Sequence, residues 1–163
     1  MKGDGVKWGL SLFLLCAFSV FAQEHYRVVS DTAESARPVA LQILKHLSAG
    51  DIEAAAALSN APERRLEVLR TYRSSVGEEE FKRIFGRYFA PENRIVMEAA
   101  IGKRRLLVWD LGEAGHQLTG QFFVNVDGQF RMDDVPNEER TKLQRVLESK
   151  RKEKKSGSDP NFR

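Results

Sequence analysis

Cysteine is almost missing from this chain of 163 residues: there is one, Cys16, and it lies inside an apolar run near the N-terminus. The residues after position 22 therefore hold no thiol, which excludes a disulfide framework and cysteine-ligated metal from that region. Phe13-Leu14-Leu15 precede the cysteine where a lipid-attachment site needs a small residue, which argues against a lipid anchor. Histidine is scarce as well. His25, His46 and His116 stand far apart, and no two have the spacing that puts a pair of metal ligands on one helix face. Asp127-Gly128 and Asp133-Asp134 lack the closely spaced oxygens of a calcium loop. Gly112, Gly115, Gly120 and Gly128 lie in or between strands rather than at a strand-to-helix junction, so they form no phosphate cradle, and no serine nucleophile elbow occurs. No metal, no cofactor and no catalytic residue is expected on these grounds.

A long hydrophobic run is also lacking. The longest, Trp8 to Ala22, has 15 residues, short of the roughly 20 that a spanning helix needs. Lys2 and Lys7 precede it, Val20-Phe21-Ala22 offers a cleavage site, and polar sequence follows at once. Residues 1–22 read as a secretory signal peptide, giving a periplasmic or secreted protein after cleavage near Ala22. The 141 residues left when 22 are removed from 163 suit one domain with one core.

Charge is unevenly placed. From Glu148 to Arg163 six basic residues face three acidic ones, so the formal net charge of +3 is a property of the tail. Residues 150–163 are expected to be a disordered basic tail, and Lys150, Arg151, Lys152, Lys154 and Lys155 are its candidates for holding an anionic envelope polymer or lipid headgroup. Nucleic acid is not an expected partner after export.

Between these ends the pattern is that of an α+β domain over 36–149, entered by a leader at 23–35 with a short extended piece at Tyr26 to Val29. Helical spacing predicts a helix over about 35–48 ended by Gly50, a second capped by Asp51, a third opened by Pro62 and broken by Gly77, and a fourth from Glu78 toward Pro91. Phe81, Ile84, Phe85, Tyr88 and Phe89 stripe the fourth and read as core. From Arg94 the period becomes two. Ile95 to Ile101, Leu106 to Leu111, Leu118 to Val126 and Phe130 to Met132 predict a curved four-stranded antiparallel meander, with Asp127-Gly128 as its last tight turn. A last helix opens at Glu138-Glu139, with Leu143, Val146 and Leu147 inward.

Alternation assigns Ile95, Met97, Ile101, Leu107, Trp109, Leu111, Leu118, Phe122, Val124, Val126, Phe130 and Met132 to one buried face, with Phe123 as an apolar exception on the other. None of the twelve titrates, and Asp110 and Asp133 fall on the polar side, so the sheet offers no enclosed carboxylate for proton transfer. Arg64, Arg65, Arg70, Arg73, Arg83 and Arg87 read as a solvated rim interleaved with glutamates. His46 reads as a cation at a helix end.

Three functions are ranked on this basis. The first is a non-catalytic exported module binding an apolar small molecule or an envelope protein, with Trp109, Phe122, Phe130 and Tyr88 as the candidate cavity and His116 as its polar candidate. The second is a small-molecule isomerase or hydrolase, which needs a carboxylate or histidine inside a cavity and would fall if Asp110, His116, Asp133 and Asp134 all stood in open solvent. The third is an envelope-associated protein tethered by its tail.

Two phrases, Leu47-Ser48-Ala49-Gly50-Asp51-Ile52-Glu53-Ala54-Ala55 and Val126-Asp127-Gly128-Gln129-Phe130-Arg131-Met132-Asp133-Asp134, resemble phrases of the nuclear transport factor 2-like (cystatin-like α+β) superfamily, including its small exported bacterial domains. The resemblance covers about residues 36–135. It implies helices on the concave face of a curved antiparallel sheet, a cone-shaped cavity and often a homodimer. The strand such folds place between their early helices is not evident here, and the last helix and basic tail are additions. The pocket aspartate base and the tyrosine and acid donors of the isomerase-like members match no position in this chain.

Overall fold

The computed structural model describes residues 25–112 and 118–157. Residues 1–22, expected from the sequence to be a signal peptide, His116 and residues 158–163 lie outside them. The order is β1 (Arg27–Val28), a 3-10 turn (Thr32–Glu34), α1 (Arg37–Ala49), α2 (Ile52–Ala57), α3 (Pro62–Val76), α4 (Glu78–Gly86), a second 3-10 turn (Arg87–Phe89), β2 (Arg94–Ile101), β3 (Arg104–Asp110), β4 (Thr119–Val126), β5 (Gln129–Met132) and α5 (Glu138–Ser156). The class is α+β, as the change of period at Arg94 requires. All pairings are antiparallel in the order β1-β2-β3-β4-β5. The extended piece at Tyr26 to Val29 thus supplies a fifth strand, with Arg27 opposite Ala100.

Local signals explain the boundaries. Gly50 closes α1 at φ 82°, the left-handed region that glycine enters without a Cβ clash. The Asp51 side chain accepts from Ala54 N to open α2, and Asn137 accepts from Arg140 N to open α5. Asp127 (φ 51°) and Gly128 (φ 83°) make the last hairpin turn.

The sheet is buried on both faces, and this corrects the one-face assignment. Ile95, Leu107, Trp109, Leu111, Phe123, Phe130 and Met132 pack against α1 to α4. Val96, Met97, Ala99, Ile101, Leu106, Val108, Leu118 and Phe122 pack against Leu143, Val146 and Leu147 of α5. Two causes combine. A register shift between Ile95 and Met97 sends these residues to opposite faces. In β4, Gln121 stands opposite Leu107, so Phe123 and not Phe122 shares the Leu107 face. The supposed exception Phe123 is fully buried in the helix-side core.

The end of α5 is the second correction. Helix persists to Ser156, because Arg151 Nε donates to Leu118 O at 2.7 Å and Lys154 Nζ to Asp110 Oδ1 at 2.8 Å. Lys150 pairs with Glu153 at 2.7 Å. The first part of the basic tail is therefore bound to the sheet, and of its five candidate cations Lys152 and Lys155 are the exposed ones. Among the described residues no helix is long and apolar enough to cross a membrane.

Gly120 sets how closely α5 approaches. A Cβ there would lie 2.5 Å from Leu147 Cδ2 and 2.9 Å from Leu106 Cδ1. Gly120→Ala is expected to destabilise by about 1–2 kcal/mol through overpacking, and Gly120→Ala combined with Leu147→Ala to recover part of that loss, both read from urea unfolding midpoints. Strict additivity of the two losses would refute the contact.

Candidate functional site

The site begins with a strand that stops early. The polar groups of alternate residues face the same side of a strand. Phe122 O accepts from Asp133 N at 2.8 Å, which turns the Phe122 edge of β4 toward β5. β5 ends at Met132, so Gly120, two residues along the same edge, lies beyond its last strand neighbour. A cleft of about 300 Å³ opens there, at the low end of the range for ligand pockets. Leu47 of α1, Leu69 of α3 and Phe85 form one wall; Gly120, Gln121 and Phe122 give the strand edge; Arg65, Met132, Asp133 and Arg140 surround the rest.

Beneath it, a polar cluster joins five parts of the chain. Ser59 and Met132 form an isolated parallel bridge, with Met132 N donating to Leu58 O and Asn60 N to Met132 O, each at 2.9 Å. Asp133 accepts from Asn60 Nδ2 at Oδ1 and from Arg104 Nε at Oδ2, both 2.9 Å. Arg104 also donates to Glu139 Oε2 at 2.8 Å. Asp134 accepts from Ser59 Oγ at 2.6 Å and takes the Arg65 guanidinium on both oxygens, Nε at 2.8 Å and Nη2 closer still. The segment after α2, the first turn of α3, the β3 start, the β5 end and the first turn of α5 are thereby tied into one frame.

The sequence-derived cavity residues are divided between the two faces of the sheet. Tyr88 and Trp109 meet edge-to-face at 5.2 Å, filling the helix-side core, and the indole Nε1 donates to Gln121 Oε1 at 2.9 Å. Phe130 lies on that same face, 5.2 Å beneath the Arg105 guanidinium. Phe122 faces α5 and alone of the four borders the cleft. The arginine rim is mostly as expected, Arg83 pairing with Glu80 and Arg70 with Glu53; Arg65 departs from it by pairing with Asp134 at the cleft. His46 sits in the last turn of α1, 3.5 Å from Asp51.

The carboxylates also stand elsewhere than alternation put them. Asp133 is 1% exposed and Asp110 is bound to Lys154, so they are not in open solvent. Glu98, also 1% exposed, belongs to the helix-side face and is a buried carboxylate that alternation did not single out. Its Oε1 accepts from Ala36 N at 2.8 Å and its Oε2 from Ser35 Oγ at 2.6 Å. It thus serves as the cap α1 does not get from Ala36, at the positive end of the helix dipole. Arg140, the cation over Phe122 at 5.2 Å, likewise carries no local signal in the sequence. Its position follows from the Asn137 cap, which sets the phase of α5. Among the described residues no group of three or more His, Cys, Asp or Glu is placed to hold a metal ion.

Burial holds the Tyr88 phenol above its ordinary pKa, because the charged form is disfavoured away from water. The folded state then keeps its proton where the unfolded chain has lost it, so the Tyr88 contribution to stability is constant below about pH 10 and falls as pH rises through the raised value. Tyr88→Phe is expected to lessen that alkaline loss and to remove the latest of the tyrosinate absorbance transitions. An unchanged alkaline unfolding curve would count against the burial.

No family model, curated protein or solved structure matches this chain.

Proposed function

We propose that the chain is an exported, non-catalytic binding module whose ligand seat is the cleft beyond the end of β5. The observation that carries this reading is the pairing of the cleft's acids. Asp133 and the adjacent Asp134 have every carboxylate oxygen bound to a donor from Asn60, Arg104, Ser59 or Arg65. The Arg104 and Arg65 guanidiniums that bind these carboxylates favour their charged form and fix their orientation, which suits a structural frame better than a general base, and the walls of Leu47, Leu69, Phe85, Phe122 and Met132 offer apolar contact. Export is supported by the lysines, apolar run and cleavage site of residues 1–22.

A nuclear transport factor 2-like arrangement is part of the same proposal. Its support is that Leu47 of the first phrase and Met132 and Asp133 of the second line the same cleft. The α5 layer is the departure from it.

Native mass spectrometry of the protein from the exported fraction of its host tests the reading. The expected result is a mass that begins at Gln23 with a small molecule retained. An uncleaved chain would overturn the export part. A cleaved chain without adduct, to which no small amphipathic compound binds, would overturn the ligand part. The same spectrum reads whether the homodimer implied by the resemblance forms.

A further inference from the structure

The cleft's hydrogen-bonding capacity is unevenly used, and what remains points to the chemistry of its ligand. Most of the acceptors already take at least one donor. Asp133 and Asp134 are bound as above, Phe122 O takes Asp133 N, Met132 O takes Asn60 N, and Gln121 Oε1 takes the Trp109 indole. The donors are left over. Gln121 carries two amide hydrogens on Nε2 with no partner among the described residues. The half-buried Arg140 guanidinium has five N–H donors, and its contact among the described residues is the face of Phe122 at 5.2 Å, with no carboxylate in ion-pair distance. Gly120 adds an N–H on the strand edge past β5, beside its own carbonyl, the remaining acceptor of that edge. The nearby acids do not answer Arg140: Asp133 and Glu139 both bind Arg104, which also offsets the charge an anion would meet on the Asp133 wall.

We propose, on the reading of this cleft as a ligand seat, that it selects a monocarboxylate with a short apolar body. The carboxylate accepts from the Arg140 fork and from Gln121 Nε2, and the body lies against Leu47, Leu69, Phe85 and Met132. A planar guanidinium matches a carboxylate through paired, charge-assisted bonds that a neutral group forms only weakly. The Phe122 ring holds the guanidinium over the strand edge without competing for its hydrogens.

Calorimetric titration of the full chain with octanoate and with octanamide, two bodies of equal length, decides the matter. Octanoate is expected to bind at least about tenfold more tightly than octanamide. Arg140→Gln is expected to abolish the difference and Arg140→Lys, which keeps the charge but not the fork, to leave part of it. The Trp109 indole N–H resonance reports the place, since its acceptor Gln121 would be engaged by the ligand. Equal binding of the two probes in the unmutated protein would overturn the carboxylate inference and leave the ligand seat standing. Binding of octanoate that leaves the Trp109 resonance unmoved and survives Arg140→Gln would overturn it too. Failure of both probes to bind would remove the seat itself for ligands of this size, and the inference with it.

Discussion

Replacing Asp133 by alanine is expected to cost about 3 kcal/mol of folding stability, the lower end of the loss when one partner of a buried ion pair is removed. Its side chain is fully buried, and the change leaves the Arg104 Nε–H and the Asn60 amide each without an acceptor. Arg104 retains Glu139 and some solvent, which keeps the loss from being larger. For a domain of this size the melting temperature should fall by roughly 10 °C. Asparagine is a poor substitute, because both partners donate: its Oδ1 can satisfy one, and its Nδ2 then faces the other. Asp133→Asn is therefore expected to recover less than half of the loss. A double-mutant cycle with Arg104→Met should return a coupling of about 1 kcal/mol or more. A loss for Asp133→Ala below about 1 kcal/mol in urea unfolding would mean that the frame is held by packing and the cluster adds little to it. Because Asp133 also lines the cleft and its side chain fixes Arg104 beside it, octanoate affinity should decline in the same variant if the cleft takes that ligand.

Glu98→Ala is expected to cost a similar amount, about 2–3 kcal/mol, and by a different route. The carboxylate is the link between β2 and the start of α1, and its loss leaves the Ala36 N–H and the Ser35 hydroxyl without their partner in a buried place. It also removes a negative charge from the helix N-terminus, with Arg37 Nε 3.7 Å away. Glu98→Gln separates these contributions. Its amide oxygen can still accept from Ala36 N, and its amide nitrogen can donate to the Ser35 hydroxyl, which already accepts from Arg37 N at 3.1 Å. The glutamine variant should accordingly lose only about 1 kcal/mol, chiefly the charge on the helix end. Equal losses for the two variants would show that charge alone matters; no loss in either would show that α1 is held by Ile43, Leu44 and Leu47 without its cap. Amide exchange in the first turn of α1 should speed up in Glu98→Ala before the rest of the domain is affected.

These two residues mark where reading along the chain stops. The helices, their glycine and aspartate boundaries, the DG hairpin and the switch of period at Arg94 all depend on neighbours within a few positions, and they were legible for that reason. Glu98 was not: nothing local distinguishes a glutamate between Met97 and Ala99 that is aimed at solvent from one aimed at a helix 62 residues earlier in the chain. Its side of the sheet depends on the register shift after Ile95, and a bulge leaves no mark in a pattern of alternating apolar residues when both faces are buried. The same ambiguity exchanged Phe122 and Phe123. Once α5 covers the second face, apolar residues of either parity are acceptable, and alternation no longer names a side.

The cleft is of this second kind throughout. Arg65 looked like one arginine of a basic rim, and nothing in the sequence singled out Arg140. Their common position at the end of β5 comes from the Ser59 to Met132 bridge, the salt bridges of Asp133 and Asp134, and the docking of α5 through Gly120. The candidate aromatics Trp109, Tyr88 and Phe130 lie in the helix-side core rather than on this cleft, a placement set by the register of the sheet.

Class, the order and limits of nearly every element and the uneven placing of charge were all written into the chain, since each rests on propensity, caps and periodicity over short stretches. Folding in three dimensions settled which faces were covered, which carboxylates were buried, how far α5 continued and where a cleft remained, since those depend on contacts across tens of residues whose partners no local pattern specifies.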